Sequence, residues 1–595
     1  PPPPPPGDAK EAKARALAAI ADALISVGVP LAVPDDAPFM QSGLTSMMVF
    51  AFVKALGATL DVGNLPHMLV FDAPTPNALA SELAGRLGAG GNGHAKLDLT
   101  AAAGGEGVAV CVRAASWRLP GEALKPYLAD PDAIRLMLDT HAHARSAVPA
   151  DRWSAATLAE CMGGVRGEAD EGIRARASYG GFVADLDMFD RHRFGVSLPE
   201  ATLMDPQQRL LMEHGYAALE VARLVPSRRR ESDAEPGDRA ADVGIFVGLS
   251  FHDWALANFW DGKPQSRRSV FASSGSFTSV ASGRLSFVLG LQGPCSTINT
   301  ACSSGLVALA CGVNVVLEPT ISINFAVKGI TSPRGRCWTF DASADGYLRS
   351  EAAGCFAVAP VDDALDASGF SEDAYCATSL GVSVRHDGKS ASLTAPNGSA
   401  QHAMIVFALR AKARGAYAFA GVEAHGTATP LGDPIEIGAL AKLSGRLDAS
   451  GSLAVSGAKN AFGHGEAAAG SVGLLALLIG GVRRGDVACN GALRSANPAV
   501  RDGVVDGMGS FLLLGATDAV ALNLGKQDAC CGVSSLGASG TIAHALLKCV
   551  DVASERELPL VADGLASEWP PIRQRESFKW QPYEPPSASG SPPAP

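Results

Sequence analysis

GPCSTINTACSSGLVALA, residues 293–310, carries the pattern from which the architecture of the large unit can be inferred. Small residues flank Cys302 on both sides, and an apolar run of helical character follows. That pattern suits a cysteine on a tight strand-to-helix turn, where the amide dipoles at the helix start favour a thiolate and draw its pKa down. Outward from this stretch, short apolar runs alternate with helical patterns and glycine-rich turns. VGIFVGLSF (243–251), FAGVEAHG (419–426) and LAVSGAKN (453–460) are examples. The rhythm predicts α/β layers.

Three further stretches carry residue types able to do chemistry with Cys302. VEAHGTATPLGDPIEIGAL (422–440) places His425 at the end of an apolar run. SGAKNAFGHGEAAAG (456–470) puts Lys459 and His464 in one short loop. CCGVSSLGASGTIAHALL (530–547) is a glycine/serine turn able to bring backbone N–H groups close to a ligand. Taken singly, each has a plainer reading: a cysteine as a small buried hydrophobe, a histidine as a structural side chain, a Gly-Ser turn as only a turn. One cysteine and two histidines would also suit a cysteine hydrolase or a metal site.

The chain has 595 residues, too many for one hydrophobic core. With 47% hydrophobic and 18% charged residues it is globular in composition, and its formal net charge of -11 argues against a nucleic-acid surface. Twelve cysteines are too dilute for a disulfide framework and show no C-x-x-C pairing, which points to a reducing compartment. The apolar run Ser471 to Val482 is too short to cross a bilayer and reads as a buried helix. No signal segment is visible at the start, so a cytoplasmic or plastid location is expected.

Low-complexity stretches divide the chain. Residues 1–8 read as a proline-rich linker, 9–88 as a small helical unit, 89–106 as a flexible linker, 107–549 as the large α/β unit, and 550–595 as a linker and proline-rich tail. In the small unit, Leu17, Ile20, Ala21 and Leu24 fall on one helical face. A second helix is expected from near Ser46, and a last one opens with Thr75 as N-cap and Pro76 at the first position. Ser46, in GLTSM, stands at a loop-to-helix junction, where a helix start favours a phosphate ester; a plain N-cap is the alternative.

Residues 10–87 resemble an acyl carrier domain along their whole length, through DDAPFMQSGLTSMMVFAFVKAL (35–56) and LPHMLVFDAPTPNALASELA (65–84). The resemblance implies that Ser46 carries a 4′-phosphopantetheine arm. Thr45 stands where that family usually has Asp, which bears on recognition by the arm-attaching transferase. Residues 107–547 resemble the β-ketoacyl synthase domain of type I polyketide synthases. The likeness rests on the four stretches above, in that order, and on VPADRW (148–153), LMDPQQRLLMEHGYAALEVA (203–222), SPRGRCWTFDASADGYLRSEAAG (332–354) and SLTAPNGSAQ (392–401). PPIRQRESFKW (570–580) is similar to that family's post-synthase linker.

The implied fold is thiolase-like, five-layered and built of two related halves, about 107–358 and 359–549. It follows a small all-α carrier bundle, and a homodimer through the synthase domain is expected. The implied activity is chain elongation in polyketide or fatty-acid synthesis, by decarboxylative Claisen condensation with a malonyl-type thioester. Cys302 would take the acyl chain, with the backbone N–H groups of Cys302 and Leu536 holding the oxyanion. His425 and His464 would donate hydrogen bonds to the enolate oxygen. Lys459 would orient that pair, and Thr427 and Thr429 would contact the pantetheine arm. The implied partners are carrier-bound thioesters, a phosphopantetheinyl transferase, an acyltransferase and other assembly-line domains. Neither metal nor nucleotide is implied.

The chain departs from the pattern at Asn299 (usually Asp), Leu536 (usually the gating Phe) and Ile542 (usually Asn). After Cys302, LVALA runs directly into CGVNVVLEPT, so one helix end and one strand are missing relative to the family. Such a loss is expected to leave a void and unpaired backbone groups. A catalytically silent carrier and docking scaffold is therefore the second expectation.

Overall fold

The computed structural model describes residues 6–88, 110–222, 243–257, 269–360, 377–505, 511–513, 529–548, 560–562 and 575–579, apart from short interruptions within these ranges. In the large unit the strands form two groups. Val110–Arg118, Ala352–Pro360, Cys311–Asn314, Ile245–Gly248 and Cys295–Ile298 lie side by side in that order in the first. The second runs Ala377–His386, Thr541–Lys548, Ala529–Leu536, Ala418–Glu423, Leu453–Ser456 and Phe511–Leu513. A short antiparallel contact, Val110 to Val112 against Ala377 to Ser379, joins them.

Two helices lie between the groups, Ser304–Ala308 and Ala469–Leu477. Leu306, Val472 and Leu475 share one core with Ala352 and Phe356 of the first group and Val533 and Ala545 of the second. The helices Pro206–Val221 and Thr278–Leu289 pack on the first group's outer face, through Leu211, Met212 and Leu285 against Val247 and Val313. Gly398–Arg410 and Gly432–Ser444 cover the second, through Met404, Leu409 and Leu440 against Val422 and Leu546. The outcome is the helix–sheet–helix–sheet–helix layering expected from the sequence. The run after Ser471 belongs to the buried middle layer. Among the described residues no helix is long and apolar enough to cross a membrane.

In the small unit, helices Pro6–Ser26, Val49–Leu60, Leu69–Asp72 and Pro76–Gly88 enclose Ile20, Leu24, Phe52, Leu56 and Leu79. Thr75 Oγ1 accepts the Ala78 N–H at 3.2 Å, as expected of the cap. Ala21 is exposed, because the buried stripe runs instead through Ala16, Ala19 and Ala23. The first helix begins at Pro6, inside the stretch read as a linker; proline lacks only an N–H that the first helical turn would leave unbonded anyway. Ala391, Ala395 and Ile435 of the large unit are buried against this bundle.

The segment after residue 550 also departs from expectation. Leu560–Ala562 pairs with the strand containing Ala115 to Trp117, and Glu576–Ser577 pairs with Met188–Phe189. Phe578 is buried, its ring centroid 6.4 Å from that of Phe189, and Arg575 meets the buried Glu213 at 2.9 Å. Short apolar anchors, hidden among prolines and charges, hold this piece on the domain. Phe578→Ala is expected to destabilise the large unit by about 3 kcal/mol, read as a lower midpoint in denaturant unfolding.

The shortfall after Cys302 has a structural counterpart. The helix Ser304–Ala308 has five residues and ends at Leu309, in left-handed backbone at φ 56. Cys311–Asn314 follows at once, paired with Val247 and Gly248 on one side and Ala352 to Cys355 on the other. Beside it lies a cavity of about 290 Å³, walled by Leu219, Phe246, Leu285, Leu309 and Phe356 among others.

Candidate active site

Cys302 follows the strand Cys295–Ile298 across a turn in which Ala301 has φ 54. Asn299 builds that turn. Its side-chain oxygen accepts the Ala301 N–H (3.1 Å) and the Ser250 hydroxyl (3.1 Å), and its amide donates to the Ser250 carbonyl (3.2 Å). An aspartate could make only the accepting bonds, so this departure from the family pattern is locally satisfied. Ser304 Oγ accepts the Thr300 N–H at 2.8 Å, and Ser535 Oγ donates to the Cys302 carbonyl at 2.8 Å. Gly537 admits the second loop: a Cβ there would stand 2.4 Å from the Thr300 carbonyl oxygen.

Both imidazoles meet the sulfur. His464 Nε2 lies 3.2 Å from Cys302 Sγ, and the two ring centroids are 5.3 Å apart at 87°. One donor atom from each of Cys302, His425 and His464 falls within 4.8 Å of the others, a set that could also hold a metal ion. His464 Nδ1 accepts the Glu466 N–H at 3.1 Å. A neutral imidazole accepts at only one nitrogen, so the His464 proton sits on Nε2 and points at the sulfur. His425 is placed through its backbone: its own N–H and that of Gly426 reach the Glu436 carboxylate at 2.7 and 2.8 Å. Among the described residues, His425 Nδ1 is buried with no partner, so none of them fixes its tautomer.

Burial, then the Lys459 charge, holds both rings well below the usual histidine range, and Arg349 adds to the effect at His464. Burial also lowers Lys459, against the pull of Glu423 and Glu436. The Cys302 thiol is pushed up to about 12, first by burial and then by the Glu466 charge. Lys459 and the N–H groups of Ala538 and Cys302 oppose this without overcoming it. The thiolate expected from a helix tip is therefore corrected: a helix of five residues contributes little field, and desolvation wins. Below its pKa the thiolate fraction rises about tenfold per pH unit, so inactivation by iodoacetamide should keep accelerating from neutral to strongly alkaline pH. A plateau near neutrality in the measured pH–rate profile would contradict this.

Four elements of the site lie beyond the sequence reading. The N–H directed at the sulfur from the glycine/serine turn is that of Ala538. Leu536, expected as the donor, instead lies in strand register opposite Ile542. Glu466 is held by Arg349 at 2.5 and 3.0 Å, and the Tyr347 ring packs 4.8 Å from His464. Glu436 anchors the His425 loop. Only the adjacency of Glu466 to His464 hinted at any of these. Thr427 and Thr429 stand half-buried beside His425, their hydroxyls 3.1 Å apart. Ser46 and Thr45 lie outside the described residues; their described neighbours are Leu44, buried in the bundle core, and the helix Val49–Leu60.

Family comparisons agree with this layout. Residues 109–364 match the β-ketoacyl synthase N-terminal domain, 376–480 its C-terminal domain, and 17–83 the phosphopantetheine attachment site. The chain belongs to the β-ketoacyl synthases, with a phosphopantetheine-binding carrier domain ahead of the condensing domain. It is 32% identical over 553 residues to erythronolide synthase EryA2 of Saccharopolyspora erythraea, covering 88% of this chain but 14% of that protein. It is 34% identical over 513 residues to the spectinabilin polyketide synthase system protein NorA' of Streptomyces orinoci, covering 83% of this chain and 13% of the relative. The oxazolomycin ketosynthase domain OzmH KS7 of Streptomyces albus JA3453 superposes with TM-score 0.62 at 25% identity, covering 75% of each chain. The module 6 ketosynthase of the Bacillus subtilis bacillaene synthase gives 0.60 at 23%, covering 74% and 72%. The chain thus carries a carrier domain followed by a ketosynthase of polyketide-synthase type, with covalent phosphopantetheine as its cofactor, and spans a small part of the length of these relatives.

Proposed function

We propose that this chain elongates a polyketide-type acyl chain as a 3-oxoacyl-[acyl-carrier-protein] synthase, with Cys302 as the acyl acceptor. The arm on Ser46, once attached by a phosphopantetheinyl transferase, supplies a mobile thiol that carries acyl groups as thioesters. In loading, the Cys302 sulfur forms a bond to the thioester carbon and the carrier thiol leaves. His425, whose tautomer is free, takes the Cys302 proton and returns it to the departing sulfur. Backbone N–H groups of Cys302 and Ala538 hold the tetrahedral oxyanion. In condensation, a malonyl-type thioester loses CO2. His464 Nε2–H and His425 hold the resulting enolate oxygen, and its carbon attacks the Cys302 thioester. The sulfur leaves and regains a proton from solvent through His425. Thr427 and Thr429 steady the incoming arm, and Lys459 keeps both rings neutral.

The observation that carries this reading is the 3.2 Å contact of Nε2 with Sγ, its donor sense set by the Glu466 N–H on Nδ1. Incubation with an acyl thioester and then a malonyl thioester should give an acylated chain, then a β-ketoacyl product and CO2, by intact mass and product analysis. Free acid without carbon–carbon bond formation would make the chain a thioester hydrolase. The silent-scaffold reading draws on the shortened nucleophile helix and the cavity beside it. It requires a folded chain that gains the arm from coenzyme A, loses that gain in Ser46→Ala, and never acylates Cys302. Synthase domains are expected to pair as a homodimer, with acyltransferase and processing domains elsewhere in the assembly line.

A further inference from the structure

Cys311 and Cys355 face each other across neighbouring antiparallel strands, directly in register. The Phe356 N–H donates to the Ala310 carbonyl at 2.6 Å. That bond, from the residue after Cys355 to the residue before Cys311, marks the two cysteines as a non-hydrogen-bonded pair. In such pairs the Cα atoms approach to about 4.5 Å and the side chains come closest. That separation lies within the range of about 4.4–6.8 Å that a disulfide spans. Both side chains belong to the same apolar cluster and both line the cavity of about 290 Å³ beside the shortened nucleophile helix. Cys311 is 5% exposed and Cys355 fully buried, so Cys311 is the more accessible of the two residues. The Cys355 S–H donates to the Cys311 sulfur, and this bond together with burial holds the Cys355 thiol well above the usual range, as expected of two adjacent thiols.

We propose that Cys311 and Cys355 form a redox-active dithiol that closes to a cross-strand disulfide on exchange with a small organic disulfide entering this cavity. The Cys311 thiolate, its proton released to solvent, attacks one sulfur of the small disulfide and expels a small thiolate, giving a mixed disulfide. Cys355 then attacks the Cys311 sulfur and releases the second small thiol. Overall, two protein thiols are oxidised, one disulfide is reduced to two thiols, and no other oxidant is needed. The crosslink ties the strand following the truncated helix to its neighbour, where the void weakens the layer.

The test treats the full chain with bis(2-hydroxyethyl) disulfide at mildly alkaline pH. Remaining thiols are then alkylated under denaturing conditions and the peptides mapped by mass. The expected result is a peptide pair joined through Cys311 and Cys355, lighter by two hydrogens, restored to two alkylated thiols by reductant. Cys311→Ser and Cys355→Ser should each lose the linked pair. Oxidised wild-type chain should unfold at a higher temperature than reduced chain, a shift absent from both variants. Recovery of both cysteines separately alkylated from folded wild-type protein, or of either joined to another cysteine, overturns the proposal without reliance on the variants.

Discussion

Cys302→Ala is expected to abolish acyl loading of the synthase site and to reduce condensation by on the order of 10⁴-fold or more, because the proposed reaction loses its nucleophile. Two measurements separate this from a general collapse of the site. With both chains in a Ser46→Ala background that lacks the arm thiol, intact mass after incubation with an acyl thioester should show one acyl group on the chain with Cys302 and none on the Cys302→Ala variant. Release of CO2 from a malonyl thioester should continue in the variant, since the donors to the enolate oxygen, His464 Nε2–H and the His425 ring, do not depend on the sulfur for position. His464 is fixed by its own N–H on the Leu348 carbonyl at 2.7 Å and by the Glu466 N–H on Nδ1; the His425 backbone is fixed by Glu436. Undiminished acylation of Cys302→Ala would remove Cys302 from the reaction altogether.

The layering was legible because it follows from local rules. Apolar strands fully buried on both faces read as continuous runs, the helices between them carry apolar stripes, and glycine-rich turns separate the two. Cys302 and His425 stood out because each follows the end of a strand, and His464 because it shares one short stretch with Lys459. What the sequence hid is what depends on distance in space rather than along the chain. The protonation of Cys302 turns on burial and the Glu466 charge set against Lys459, groups more than a hundred residues away, and local reasoning from a helix tip pointed the other way. Which N–H faces the sulfur depends on strand register: the pairing of Leu536 with Ile542 carries the turn two residues further before Ala538 meets it. Arg575 and Phe578 looked like tail residues because their partners, Glu213 and Phe189, lie hundreds of positions earlier.

The shortened helix bears on stability more than on the placement of the chemistry. Its first turn, which carries the Ser303 and Ser304 hydroxyl bonds to Thr300 and Ala301, is present. On its far side the cavity is walled by Leu309 and Leu285 among others. A void lined by apolar side chains forfeits contacts and lowers stability, yet the residues around Cys302 keep their hydrogen bonds. The geometry thus separates a weakened layer from a site whose parts are together.

His464 provides the sharper test of how that site works. His464→Ala should lower condensation by about 10²–10³-fold, the loss typical of one preorganised donor to a developing oxyanion. Acyl loading should fall far less, since proton transfer in that step passes through His425. The alanine variant also strips the partner from the buried Glu466 N–H, so part of any loss could come from a shifted Glu466. His464→Gln separates the two effects: its side-chain oxygen can accept that N–H while its amide donates toward the sulfur, restoring the orientation of the original ring with neutral groups. Recovery of a substantial part of the condensation rate in His464→Gln, with loading near wild type in both variants, identifies His464 as a donor. Equal loss of loading and condensation in both variants would instead make His464 the base for Cys302, and the donor sense drawn from the Glu466 hydrogen bond would be wrong.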